Sequence, residues 1–285
     1  MRKGYASRTA MWVAALRGVA ELDQPTVVRD RFAVELVPQP YRAIVRLAER
    51  RPLAARVVMQ WLAGVSRNLT RHMALRTRAI DDAVEREAGA GTQQLVLLGA
   101  GLDARAYRLP SLSQSVVFEV DFPATQSHKR AAIESHRPLA AEVRYVPIDF
   151  HADRLDDVLE GAGHRRVEKT TWVWEGVMMY LTRDAIQATL DALARLSAPG
   201  SCVVATYHDA AFGWESVPLT VMVRAVGEPF RTRLRPDQVR ELFVARGFDI
   251  EQDEGTAEWS ARYLGERGYR SGERFVVARR RADRA

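Results

Sequence analysis

Of 285 residues only Cys202 is a cysteine, so the chain has neither an internal disulfide nor a cysteine-based metal cluster. Its setting, SCVVATY, is apolar and β-branched, which predicts a buried structural thiol rather than a nucleophile. No apolar run reaches the roughly 18 residues that would span a membrane. The histidines at 72, 128, 136, 151, 164 and 208 form no H-x-x-x-H pair, so no metal spacing is present. Neither the serines nor Cys202 belong to a nucleophile–base–orienter set. Lysine is almost missing, with only Lys3, Lys129 and Lys169 among 42 basic residues.

The net charge of +6 is uneven, because residues 1–80 hold fifteen Arg and Lys against five Asp and Glu. That surplus could mark a nucleic-acid or membrane footprint. Aromatic residues for base stacking are not interleaved with the arginines, so helices with solvated Arg faces are expected instead. The start, MRKGYASRTAMWVAALRGVAELDQ, places basic residues before a short apolar stretch, but Arg17 interrupts it and no cleavage site follows. A mature, cytoplasmic N-terminus without membrane or nucleic-acid partners is the expectation.

Residues 8–88 read as helices broken by Pro25, Pro38, Pro40 and Pro52, without strand patterns. From residue 94 the character changes. Short apolar runs lie at Gln94–Leu98, Val116–Val120, Arg144–Ile148, Thr171–Trp174, Ser201–Thr206 and Phe275–Arg279. Helical patterns lie between them at Ala124–His136, Arg154–Gly161, Arg183–Ser197 and Pro236–Gly247. Apolar strands alternating with helices predict a mostly parallel sheet covered on both faces. In such sheets ligands bind outside the carboxyl ends of the strands.

The first run ends in Gly99-Ala100-Gly101-Leu102-Asp103, the second at Asp121, the third at Asp149 and the fourth at Glu175. Two glycines after a buried strand allow close backbone approach to a ligand. An acid about twenty residues later suits a ribose diol, since a carboxylate accepts both hydroxyl protons. Asp149 could instead cap a helix, as could Asp103. The glycine pattern also fits a nicotinamide dinucleotide. Against that, Tyr107-Arg108-Leu109-Pro110 halts the first helix after about two turns, and Asp149 and Glu175 would face an anionic pyrophosphate. Those acids suit S-adenosylmethionine better, with its sulfonium, ammonium and adenine amino group.

These residues carry a family resemblance. GAGLDARAYRL at 99–109, FEVDFPATQSHKR at 118–130, VPIDF at 146–150 and WEGVMMYLT at 174–182 resemble the leucine carboxyl methyltransferase family, as do SRTAMWVAALR at 7–17 and LRTRAIDD at 75–82. The closer resemblance is to the family's bacterial branch of S-adenosylmethionine-dependent methyltransferases, which includes carboxyl O-methyltransferases of polyketide biosynthesis. It covers nearly the whole chain, residues 209–235 least. It implies a class I methyltransferase fold, Rossmann-like α/β with a mostly parallel seven-stranded sheet over 89–285. Residues 1–88 would form a helical cap integral to the active site.

By position, the resemblance implies that Arg76 pairs with the methionine carboxylate, with Arg78 as the alternative. Gly99 and Gly101 would make room for the donor's amino-acid part, and Asp121 would hold the ribose. Asp149 would accept from the adenine amino group, with Phe150 beside the ring, and Glu175 would sit near the ammonium. Tyr180 is a possible acceptor contact or a packing tyrosine. His208 is the histidine at the catalytic edge, a base or a polar loop neighbour.

Methyl transfer from a sulfonium to a carboxylate needs no general base, because the acceptor is already ionised near neutral pH. The resemblance, with the weakness of any base candidate beyond His208, implies O-methylation of a carboxylate on a small, polyketide-like molecule. Trp12, Trp61, Phe212, Trp214 and Phe230 could line an apolar acceptor pocket. Three alternatives stay open: methylation of a protein's C-terminal carboxylate, an NAD(P)-dependent oxidoreductase, and a non-catalytic binding protein on the same fold.

Overall fold

The structure is a computed structural model that describes residues 11, 13–14, 16–18, 26–36, 42–43, 67–150, 152–212, 230–266 and 271–282. Its described elements are α1 (Arg31–Leu36), α2 (Arg67–Gly89), β1 (Gln94–Leu98), α3 (Arg105–Arg108), β2 (Val116–Asp121), α4 (Pro123–Ala132), β3 (Glu142–Pro147), α5 (Leu155–Gly161) and β4 (Thr170–Trp174). They continue with α6 (Arg183–Leu196), β5 (Cys202–His208), α7 (Pro236–Val244), β6 (Phe248–Gly255), α8 (Thr256–Leu264) and β7 (Glu273–Arg280).

The strands form one seven-stranded sheet in the order β3-β2-β1-β4-β5-β7-β6. The pairings from β3 to β5 are parallel, and β7 runs antiparallel to both its neighbours. The central strands β1, β4 and β5 are buried along their whole length. Their continuous apolar runs follow from that, since both faces are covered.

Alternate residues feed two cores. Leu95, Leu97, Val173 and Val204 face Leu75, Ala79 and Ala83 of α2, together with Phe32 of α1 and Trp259 of α8. Val96, Leu98, Trp172, Trp174, Val203 and Ala205 face Ile186, Leu190 and Leu193 of α6 and Val239 and Phe243 of α7. Leu75, Ala79 and Ala83 recur every four residues, which keeps them on one face of the helix.

Several sequence expectations are corrected. The helix after the glycines is a single turn, Arg105–Arg108, shorter than the two turns expected. Pro110, which cannot donate to a continuing helix, opens a separate 3-10 turn over Pro110–Gln114. The helix expected over Ala124–His136 starts at Pro123 and ends at Ala132. The sheet has its expected seventh strand, but no apolar run marked it. β6, FDIEQDEG, is an edge strand with polar residues along it. Arg17 and Arg76 are buried in ion pairs rather than lying on solvated faces. Cys202 is buried, as expected, and burial raises its thiol pKa.

Among the described residues no helix is long and apolar enough to cross a membrane.

Beneath the glycine turn lies a buried ion pair. Lys129 Nζ of α4 sits 2.6 Å from Glu119 Oε2 of β2, both side chains being 1% exposed, and it also donates to the Asp103 carbonyl. Removing one partner strands a buried charge, which costs about 3–5 kcal/mol. Lys129→Met should therefore lower unfolding free energy by about that amount in urea titrations, and adding Glu119→Gln should restore much of the loss. A single-variant loss below about 1 kcal/mol would show that Glu119 finds another partner.

Candidate functional site

The strand order reverses between β1 and β4, which makes their carboxyl ends the switch point of the sheet. Leu98 is level with Val120, and Leu97 with Val173. Gly99, Asp121 and Glu175 therefore leave adjacent strands side by side.

Gly99 has φ +67°, and a Cβ there would lie 2.7 Å from Val177 Cγ2, so the turn needs glycine on both counts. Gly99 and Ala100 donate to the Val120 carbonyl at 2.8 and 3.1 Å, which folds the turn over the end of β2. There the Asp121 carboxylate accepts from the backbone N–H of Gly101 and of Phe122. These bonds fix the carboxylate at the rim of the turn, where it is partly exposed.

One strand further out, the Asp149 carbonyl accepts from Ala152 and Asp153 N–H, both at 2.8 Å, while its own N–H donates to Asp153 Oδ2. Phe150 follows and is 45% exposed, an unusual placement for a phenylalanine.

Glu175 follows β4 and is held by two arginines from different helices. Its Oε2 accepts from Arg105 Nη1 at 2.8 Å, and its Oε1 lies 2.8 Å from Arg76 Nη2 in a close ion pair. Arg76, 5% exposed, also donates through Nη1 to both oxygens of Glu273. Arg105 donates to Asp103 and, through Nε, to Asp81 at 2.8 Å. Despite burial, the arginines beside it hold the Glu175 carboxyl below its ordinary pKa. Arg78 lies on the solvent side of α2, paired with Asp82 at 2.8 Å, so of the two arginines considered only Arg76 reaches the strand tips. Asp103 Oδ1 accepts from Arg105 N–H at 2.7 Å, which ties it to the start of α3.

Over β4 and β5 the groups become aromatic. Tyr180 ends a 3-10 turn over Met178–Tyr180. Its ring is 5.5 Å from Phe230, which in turn is 4.6 Å from the ring of His208 at the end of β5. The segment after Phe230 is pinned by Arg231 and Thr232 N–H to the Met179 carbonyl and by Leu234 N–H to the His208 carbonyl. His208 is 3% exposed, and its buried Nδ1 has no hydrogen-bond partner among the described residues. A Cβ at Gly272 would approach that Nδ1 to 2.9 Å and Phe212 Cβ to 3.1 Å, so glycine makes the space for the imidazole. Trp12, Trp61 and Trp214 lie outside the described residues.

The structure thus gathers Arg76, Gly99, Gly101, Asp121 and Glu175 at the tips of β1, β2 and β4. Asp149 and Phe150 flank them beyond β3. Tyr180 and His208 stand on the other side, over β4 and β5. Sequence reasoning missed Arg105, Asp81, His72 and Glu273. Arg105 and Asp81 lay inside quoted motifs but signalled nothing of their partners, and Glu273 lay in no motif.

Residues 10–194 match the family described as Leucine carboxyl methyltransferase. Over 277 residues the chain is 36% identical to a Mycobacterium sp. (strain JLS) protein named "Putative S-adenosyl-L-methionine-dependent methyltransferase", covering 92% of this chain and 83% of that one. The chain belongs to the leucine carboxyl methyltransferase family. The enzyme class and methyl donor expected from the sequence, S-adenosylmethionine-dependent methyltransferase, are those of the family. The fold is shared with a "putative methyltransferase" from Thermobifida fusca YX, at TM-score 0.64 and 17% identity over 99% of this chain and 97% of that one. It is also shared with a DUF574 family protein from Streptomyces avermitilis MA-4680, at TM-score 0.59 and 16% identity over 96% and 98%.

Burial lowers the pKa of His208 from 6.5 to about 4, and that of His164 likewise. The unfolded chain takes up these protons near pH 6.5, before the folded chain does, so stability should fall as pH drops from about 6.5 towards 4. Each imidazole should contribute a slope of about 1.4 kcal/mol per pH unit. Asp103, lowered to about 2 chiefly by Arg105 against burial, loses its contribution only below the ordinary carboxylate range. The Glu119 pKa is raised by burial and the Glu273 pKa is lowered, so in denaturant titrations between about pH 6.5 and 4.5 the histidine contribution is read as the difference between variant and wild type. His208→Gln and His164→Gln should each flatten the profile, and an unchanged slope in both would contradict the buried neutral imidazoles.

Proposed function

We propose that this chain is an O-methyltransferase that transfers the methyl group of S-adenosylmethionine to a carboxylate on a small molecule. The observation that carries the reading is the register of β2, β1 and β4, which aligns Asp121, the Gly99–Gly101 turn and Glu175 along one edge. The residues suit the donor: a glycine turn that a Cβ would block, an oriented carboxylate for a diol, and an ionised Glu175 for an ammonium.

In this reading Asp121 would accept from the ribose hydroxyls, and Asp149 and Phe150 would hold the adenine by its amino group and its face. Gly99 and Gly101 would admit the amino-acid part. Arg76 and Glu175 would meet its carboxylate and ammonium in charge-assisted bonds. Bound there, S-adenosylmethionine supplies an electrophilic methyl on a sulfonium. Residues 1–88 would form a cap that belongs to the active site, in line with the 2.7 Å hydrogen bond from Arg17 to the Leu102 carbonyl beside the glycine turn.

The aromatic wall of Tyr180, Phe230 and His208 would hold the acceptor in line with the methyl group and exclude water. His208 is a poor general base with a pKa near 4. A phenol or alcohol acceptor would require such a base, whereas a carboxylate does not. The family's description favours a carboxyl acceptor as well. It also supports a second reading, methylation of a protein's C-terminal carboxylate.

In calorimetry the protein should bind S-adenosylhomocysteine and not NADH or NADPH, and Asp121→Ala should weaken that binding by about 1–3 kcal/mol. Unchanged affinity in Asp121→Ala would remove Asp121 from the donor site. With a carboxylic acid acceptor the rate should stay flat from about pH 6 to 9, and His208→Ala should slow it far less than the roughly 100-fold loss of a general base. A steep rise with pH that vanishes in His208→Ala would point to hydroxyl methylation. Labelled methyl appearing only in protein acceptors would favour the second reading.

A further inference from the structure

Glu273 opens β7, in register with His208 at the end of β5, and lies outside the stretch that matches the family. It is 3% exposed. Both of its oxygens accept from Arg76 Nη1, at 2.9 and 3.0 Å. Oε2 also pairs with His72 Nε2 at 2.6 Å. His72 is held from behind, its Nδ1 lying 3.0 Å from Thr256 Oγ1. His72 and Arg76 are one turn apart on α2 and so share a face. Arg76, held by Glu273 on one side, turns its other terminal nitrogen to Glu175. The neighbouring Arg76 and His72 keep Glu273 ionised despite burial, with its pKa well below the ordinary carboxylate range.

A guanidinium has free rotation along its stem, and its aim depends on what holds the nitrogens not used for binding. We infer that Glu273 is a positioning residue that aims Arg76, and through it Glu175, at the amino-acid end of the methyl donor. The inference rests on the reading of Arg76 and Glu175 as the groups that meet that end. Glu273 touches no reacting atom. Its role is to fix the placement of the pair and to supply the counter-charge that keeps the buried Arg76 guanidinium in place.

The test separates head recognition from general disruption. Binding of S-adenosylhomocysteine is compared by calorimetry with that of 5′-methylthioadenosine, which keeps the nucleoside and lacks the amino-acid head. Glu273→Gln should weaken S-adenosylhomocysteine about tenfold or more and leave 5′-methylthioadenosine within about twofold. Arg76→Ala should show the same selective loss, and combining the two should add little. Glu273→Asp keeps the charge with a shorter reach; it should show a smaller loss of the same selectivity, and it decides the matter if the Gln variant does not fold. An equal loss for both ligands, or no loss, in the Glu273 variants overturns the positioning role. If Arg76→Ala loses affinity selectively while both Glu273 variants bind as wild type, only the role of Glu273 fails. If Arg76→Ala binds S-adenosylhomocysteine as wild type does, the donor reading of Arg76 fails and this inference with it.

Discussion

The double grip on Glu175 is the constraint on which the site's architecture depends. Arg76 comes from α2 on the cap side of the sheet, and Arg105 from the short turn after the glycines. A carboxylate held this way is fixed in direction, and each arginine needs further carboxylates to be tolerated at its depth. Arg105 takes Asp81 and Asp103, Arg76 takes Glu273, Arg108 takes Asp81 and Arg17 takes Asp30. The described network thus has one more carboxylate than guanidinium. His72 adds a further contact to Glu273 at 2.6 Å.

The network also gives α2 two tasks at once. Leu75, Ala79 and Ala83 of α2 belong to the core, while His72, Arg76 and Asp81 of the same helix belong to the charged seam. One helix therefore joins the hydrophobic packing to the polar placement. A ligand bound beside Arg76 should therefore stabilise α2, since ligand that binds only the folded form stabilises it by mass action.

The parts legible in sequence were those with a local signature. The central strands stood out because burial on both faces makes them continuously apolar, and Gln94–Leu98 has the bounds expected. The glycine turn, Asp121 and Glu175 were legible because parallel strands end at one edge, so position along the chain translates into position in space. β6 was hidden because an edge strand needs few apolar residues; its Asp253 and Glu254 carry no apolar signal, although both pair with β7. Glu273 was invisible for a different reason. Its meaning comes from Arg76 and His72, which no local pattern connects to it. Arg105 was visible as a letter in a motif, but its partners Asp81 and Glu175 are set by folding.

The placement of β7 between β5 and β6 has a consequence for how the protein is made. β6 precedes β7 in the chain, yet among the described strands it pairs with β7 alone. It must wait as an unpaired, acidic segment until the following strand emerges and inserts beside β5. The same strand brings Glu273 to Arg76 across 197 residues of sequence. Until then the guanidinium of α2 lacks this counter-charge, in a helix synthesised long before. Completion of the sheet and neutralisation of the seam therefore depend on the same strand. A chain without β7 would leave β5 with an open edge and Arg76 without Glu273.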